Sequence, residues 1–449
     1  MDKDDITVLL TRRQTLLGGL AAAFGLLYPF QPTTIAQAAA IGSRSPLKPK
    51  AKSVILLWMW GGPSHLDTFD PKPAAGTDYC GAFTQPIETN VSGIRINEML
   101  TGLAKQADKY SIIRSMTHDN YAHETAAYMV QTGNKAGDNI VHPGAGAVVS
   151  LRKGYAAGYR SLVPPYIVLT EGLGRFSEAG FLGQQAMPFT TGGDPSAARF
   201  AVEGIVADGI TDQRQRDRRD LLLRMNTMRG VLSDNPSMKE LDNCDGQAYN
   251  LILGDAGKVF DLSQETDDVR TRYGRNKFGQ SCLVARRLVE RGVPFITINY
   301  GGWDTHKENF QVMKRKLPEF DKGASTLLQD LSDRGLLDST IVCCVGEFGR
   351  TPKVMYEAPW NGGRGHWGAV FSAWVAGGGF KGGQLVGASD DRGMAVKERP
   401  VYPNDLIRAV YELLGIDADS PLPHPQGLIV PAAPAVWTPG TGGRLAEIL

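Results

Sequence analysis

An α/β fold, with a central, mostly parallel sheet flanked by helices, is what this sequence predicts, and three observations predict it. Apolar, β-branched runs recur at 53–60, 164–169, 294–298 and 341–345, the pattern of strands buried on both faces. Between them lie stretches at helical spacing, among them Leu283, Leu288 and Val289, and then Phe320, Ala324, Leu327, Leu328 and Leu331. Each strand run stops at glycines, and 53 of the 449 residues are glycine, against roughly 7% in ordinary proteins. Strand, loop and helix in alternation make parallel βαβ units, and ligands in such sheets sit at the carboxyl ends of the strands.

The chain is long enough for one large or two ordinary domains, with 42% hydrophobic residues and a formal charge of +1. No basic surplus points to nucleic acid. The first 40 residues read as an address. Thr11-Arg12-Arg13-Gln14-Thr15-Leu16-Leu17 resembles a twin-arginine export signal with Thr15 in place of the usual Phe. A segment at 16–30 follows, too short for a membrane span of roughly 20 residues, and then Ala36-Gln37-Ala38 and Ala38-Ala39-Ala40, of the A-x-A cleavage type. Cleavage is expected after Ala38 or Ala40, with 41–52 a linker, 53–430 a single α/β domain and 431–449 a tail. No stable membrane span is expected after processing. The five cysteines, Cys80, Cys244, Cys282, Cys343 and Cys344, form no C-x-x-C pair. Cys343 and Cys344 should point to opposite faces of one strand, and a Cys80–Cys244 disulfide is conceivable after export.

In chain order, the first strand ends at Gly61-Gly62-Pro63, and its loop carries His65 and Asp67. A helix is expected over 99–107, leading into a strand at 111–113. The stretch Thr117-His118-Asp119-Asn120-Tyr121-Ala122-His123-Glu124-Thr125 opens a helix that ends near Thr132-Gly133 and is the densest reactive cluster in the chain. Mixed charges from Asp212 to Asp220 mark a solvated face within a charged, helical region at about 212–290. The strand at 294–298 feeds Gly301-Gly302-Trp303-Asp304-Thr305-His306. The strand at 341–345 feeds Gly346-Glu347-Phe348-Gly349-Arg350-Thr351-Pro352, and Gly365-His366-Trp367 precedes a last apolar run. Five of the seven histidines thus lie in loops at element ends beside carboxylates. Imidazole with carboxylate and no thiolate is the donor set of a hydrolytic zinc, manganese or iron site. A serine-hydrolase elbow, G-x-S-x-G, is absent.

These motifs, from Gly61-Gly62-Pro63-Ser64-His65-Leu66-Asp67-Thr68-Phe69-Asp70-Pro71-Lys72-Pro73 through Gly302-Trp303-Asp304-Thr305-His306, Gly346-Glu347-Phe348-Gly349-Arg350-Thr351-Pro352 and Gly365-His366-Trp367, resemble domain of unknown function 1501. That family is grouped with sulfatases in the alkaline phosphatase-like superfamily and is typically twin-arginine exported. The resemblance covers about 50–430 and implies a three-layer sandwich with metals at the strands' carboxyl ends. It implies as ligands Asp304, His306, Glu347, His366 and one of His65 or Asp67, with Arg350 steadying an anionic ester. The superfamily's nucleophile register falls on His123 instead of a hydroxyl, with Thr125 displaced by two residues. His123 would bind metal or act as a general acid or base.

The resemblance thus implies a hydrolase of phosphate or sulfate esters, periplasmic or otherwise exported. It would use one or two divalent metals, zinc or manganese first and calcium or iron next, and activate water as its nucleophile. Its substrate would be a small-molecule or glycan ester. The alternative is a degenerate member that binds metal or an anionic glycan without turnover, favoured by His123 and Phe348 where the superfamily has a nucleophile and a histidine ligand. Its partners would include the twin-arginine export machinery. Replacing Arg12 and Arg13 together by lysine should leave the protein in the cytoplasm, because a receptor reads the pair. Cell fractionation checks this, and undiminished export would point to the general secretory route.

Overall fold

The structure, a computed structural model, describes residues 47–137, 139–172, 178–197, 200, 213, 214, 217, 221, 257–435 and 442–449. The signal segment at 1–40, Cys244 and most of the charged region up to residue 256 lie outside them. Cys80, Cys282, Cys343 and Cys344 are buried free thiols. Among the described residues no helix is long and apolar enough to cross a membrane.

Among the described residues the core is an eight-stranded sheet. Its strands are β1 (Ser53–Trp58), β2 (Tyr110–Met116), β3 (Tyr166–Leu169), β4 (Phe189–Thr190), β5 (Phe295–Asn299), β6 (Thr340–Val345), β7 (Phe371–Ala376) and β8 (Leu385–Val386). They lie in the order β8-β2-β7-β6-β1-β5-β3-β4. β1 sits centrally and pairs in parallel with both β5 and β6. Only β7 runs against its neighbours, antiparallel to β6 and to β2. The reason is local: no helix separates β6 from β7, so the chain lacks the crossover that a parallel return needs. As a result β7 begins at the edge where β6 ends.

Side chains alternate between two apolar layers, as the strand period of two requires. Ile55, Leu57, Ile296, Ile298 and Cys344 face one layer. There they meet α3 (Lys277–Glu290) and α4 (Asn309–Asp333) through Cys282, Leu283, Leu317, Phe320 and Leu328. Val54, Trp58, Phe295, Cys343 and Val345 face the other layer. That layer is covered by α1 (His123–Thr132), α2 (Ala145–Lys153) and α5 (Pro403–Leu414). Cys343 and Cys344 therefore do point to opposite faces. The Asn276 side chain caps α3 by accepting from the Gly279 amide at 2.8 Å, and Gly133, left-handed at φ 69°, ends α1 where expected.

One expectation is corrected. The helix at 99–107 shrinks to Thr101–Ala104 and a 3-10 turn at Ala107–Lys109, since Gly102 and a break at Lys105 interrupt the periodicity. Within the segment expected as a tail, Leu445 and Ile448 are fully buried in the second apolar layer.

Candidate metal centre

Five segments meet at the carboxyl edge of the sheet: those after β1, β2, β5 and β6, and the one leading into β7. Gly61, at φ 111°, lets the β1 loop touch the β5 loop. A Cβ there would stand 2.4 Å from the Asp304 amide nitrogen, so only glycine fits. Gly349–Arg350 pairs antiparallel with His366–Trp367, which carries His366 back to the end of β6.

This brings His123, Asp304 and His366 together, with a ligand-type atom from each within 4.8 Å of the others. His123 Nε2 is 3.3 Å from Asp304 Oδ2, and His366 Nε2 is 3.3 Å from Asp304 Oδ1. His306 adjoins them, its Nε2 3.1 Å from Asp304 Oδ1 and 2.9 Å from His366 Nε2. His366 Nδ1–H donates to the Tyr121 carbonyl at 2.6 Å, which leaves the Nε2 lone pair facing Asp304. His123 Nδ1 lies 2.6 Å from Glu347 Oε1, the carboxylate–imidazole arrangement that orients metal-binding histidines. Phe348 stacks on His366 (centroids 4.6 Å apart) and leans on His123 (4.9 Å). The Asp304 side chain remains 44% exposed and that of His306 38%, so a ligand can approach from solvent.

The electrostatics follow from the geometry. Burial alone would lower the His123 pKa, but bonding to Asp304 and Glu347 outweighs it and raises the imidazole to about 9. Burial likewise pushes the Asp304 carboxyl up, yet His123 and the Arg350 guanidinium hold it well below the usual carboxylate range. Burial, the main cause in each case, lowers His306 and His366, so both are neutral donors near pH 7. Nitrogen and carboxylate oxygen with no thiolate fit a divalent cation of the zinc or manganese kind.

Four expected residues do something else. Asp67, fully buried, forms a two-pronged ion pair with Arg364 (Nε 2.8 Å, Nη2 2.9 Å) and accepts from Asn309 Nδ2 at 2.8 Å. His65, also fully buried, donates to the Gly393 carbonyl at 2.9 Å. Neither joins the cluster; the β1 loop reaches it through backbone, with the Gly61 amide donating to Glu347 Oε1 at 2.8 Å. Arg350 cannot steady an incoming ester, because it is fully buried and already bonded. Its Nε donates to the Gly62 carbonyl at 3.0 Å and Nη1 to the Arg364 carbonyl at 3.3 Å. Its Nη2 binds the Gly61 carbonyl and, at 2.5 Å, Asp304 Oδ1. The Thr125 hydroxyl donates to Asn120 Oδ1 at 2.9 Å.

Glu347 lies at the centre but holds His123 through Oε1. Its Oε2 is buried without a partner among the described residues. His118, prominent in the sequence, is a tether whose Nε2–H donates to the Glu347 carbonyl at 2.6 Å. Sequence reasoning missed Trp60, whose ring centroid is 5.6 Å from that of His123, and the Asp67–Arg364 pair.

The family described as "Protein of unknown function (DUF1501)" matches residues 51–433. The chain belongs to the DUF1501 family. No curated protein matches it. Among solved structures it is similar to the lipoteichoic acid synthase LtaP from Listeria monocytogenes, at 8% identity and a TM-score of 0.40, covering 89% of this chain and 80% of that one. It is similar to the alkaline phosphatase of the Antarctic bacterium TAB5, at 11% identity and a TM-score of 0.36, covering 82% and 99%. It is also similar to the sulfatase PsFucS1 from Pseudoalteromonas sp., at 14% identity and a TM-score of 0.34, covering 87% and 73%. Scores of this size carry no inference about the chemistry of this DUF1501 protein, which rests on its own residues.

Asp304→Asn and His366→Ala should each lower bound zinc or manganese while the melting curve stays cooperative. Asp67→Ala should instead destabilise by about 3–5 kcal/mol, since it strands a buried guanidinium. Elemental analysis alongside thermal melts checks both, and normal metal in the first pair would remove the ligand assignment. A cation must also displace the proton that His123 holds up to about pH 9. Affinity should therefore rise roughly tenfold per pH unit toward that value and then level off. In the metal-free protein the raised His123 pKa works the other way, its stabilisation being present below the unfolded pKa and lost as pH rises through about 9. Added metal should thus raise the melting temperature more at pH 9 than at pH 7.

Proposed function

We propose that this DUF1501 protein is a divalent-metal-dependent hydrolase of phosphate or sulfate esters that acts outside the cytoplasm, with water as the attacking group. The observation that carries the reading is the convergence of His123, Asp304 and His366 at the open carboxyl edge of the sheet. The ester class follows from the superfamily resemblance of the sequence motifs, and the exported location from Arg12-Arg13.

His123, Asp304 and His366 would hold the cation, and three protein donors are the usual complement of a catalytic site. When bound, such a cation polarises an ester oxygen and acidifies water. Glu347 keeps the His123 ring turned so that Nε2 faces inward. Arg350 fixes Asp304, and Phe348 walls the rings from one side. His306, half-buried and neutral near pH 7, is the group able to take a proton from the attacking water. This reading moves His306 from ligand to general base, because the other three donors already form a set. Thr125 has no role in this reading, its hydroxyl donating to Asn120 Oδ1 at 2.9 Å.

A second reading, binding without turnover, is favoured by one observation. Arg350, the cation expected to steady an anionic ester, is fully buried and already makes four donor contacts. Turnover of aryl phosphates and sulfates by metal-loaded protein separates the two. On the hydrolase reading His306→Ala keeps its metal and loses about 10²–10⁴-fold in kcat, Thr125→Ala changes little, and His123→Ala loses the metal. Loss of turnover in Thr125→Ala with metal retained would restore a hydroxyl nucleophile, and no turnover by the metal-loaded parent would leave binding alone.

A further inference from the structure

Next to the metal centre, at the carboxyl ends of β3 and β5, lies a cleft of about 220 Å³ whose wall includes Trp60. The same indole borders His123, so whatever fills the cleft touches the side chain that shields the metal centre. The volume is below the roughly 300–1,000 Å³ of sites for drug-sized ligands. It suits one ring-sized moiety, not a chain of them.

The lining specifies the chemistry of that moiety. Trp60, half-buried, presents an apolar face. The rest of the lining is mixed: Phe278, Ile298 and Tyr300 are apolar, while Thr170 and Asn299 at the strand ends, with Glu171 and Lys277, are polar. Glu171 Oε1 and Lys277 Nζ stand 3.4 Å apart with side chains 83% and 44% exposed. They cancel in charge, so the cleft offers no cationic surplus to attract a sulfate or phosphate. An aryl group or acyl tail would cover the charged pair without satisfying it, at a cost in desolvation. A neutral ring with one apolar face and several hydroxyls meets both demands, since hydroxyls donate to a carboxylate and accept from an ammonium.

We propose that this cleft is a sugar-ring subsite, so that the ester turned over next door is carried by a carbohydrate whose neighbouring, uncharged residue packs on Trp60. The catalytic half of this statement rests on the hydrolase reading, whereas the binding half does not. Glu171 and Lys277 then act as specificity-determining residues outside the catalytic machinery. The carbohydrate's charged ester group lies over the metal centre and the neutral ring beside it.

The test is binding to an array of neutral di- to hexasaccharides built from hexoses, N-acetylhexosamines and pentoses, with EDTA present so that metal and turnover play no part. At least one neutral oligosaccharide should bind. Its affinity should fall at least tenfold in Trp60→Ala and in the double variant Glu171→Ala/Lys277→Ala. The double variant changes only exposed side chains and guards against a packing effect at Trp60. Binding of no neutral sugar, binding of anionic sugars only, or equal binding by the double variant would overturn the subsite. Failure of the hydrolase reading would appear separately, as absent turnover of aryl esters by metal-loaded protein that still binds the sugar.

Discussion

The site depends on a single buried guanidinium. Arg350 leaves the end of β6 and donates to carbonyls of the β1 loop and of the segment that leads to His366, while gripping the Asp304 carboxylate of the β5 loop. Stripping an arginine of water is expensive unless its donors are met. The three partner segments are therefore fixed relative to one another by the demand of one side chain. Arg364 repeats the device one layer further out, where Asp67 and the carbonyls of Thr351 and Tyr79 take its donors. Loops rich in glycine would otherwise have many conformations to lose. Here the ionic anchors hold them, which explains why so much charge in this chain is spent away from solvent.

On that frame the candidate metal centre would be a contest between a proton and a cation. His123 stands between Glu347 and Asp304, and two carboxylates around one imidazole keep it protonated well past neutrality. A divalent cation answers the same negative charge with more of its own, and needs the Nε2 proton to leave. His306 and His366 add no such barrier, because burial already favours their neutral forms. Acid would thus empty the proposed site through one residue, the one that the buried Glu347 holds in place.

Burial also sorts the neighbourhood by task. Arg350, Arg364, Asp67 and Glu347 are fully buried and set geometry, whereas Asp304, His306 and His366 keep an open side. Trp60 closes one flank of the centre and opens onto the adjoining cleft, which lets one aromatic ring serve two compartments. The antiparallel β7 is what brings His366 to this edge, for a parallel strand would have started at the far side of the sheet.

Much of this was legible in the sequence. The β-branched runs and helical periodicities determined the α/β class, the faces of Cys343 and Cys344, and the stop of α1 at Gly133, because those depend on neighbours a few residues away. The loops bearing Asp304, Glu347 and His366 stood out for the same reason: glycines at strand ends mark where side chains leave the sheet. What the sequence could not divide was one carboxylate or cation from another. Asp67 and Asp304 follow similar strand ends, yet the first lies against Arg364, nearly 300 positions away in the chain, and the second lies open beside three imidazoles. Arg350 reads in the sequence as a substrate-binding cation, yet its donors face three backbone carbonyls and the Asp304 carboxylate. Only the tertiary structure decided these roles, since a charged group is defined by the partners and the water around it, and both are set by contacts distant in sequence.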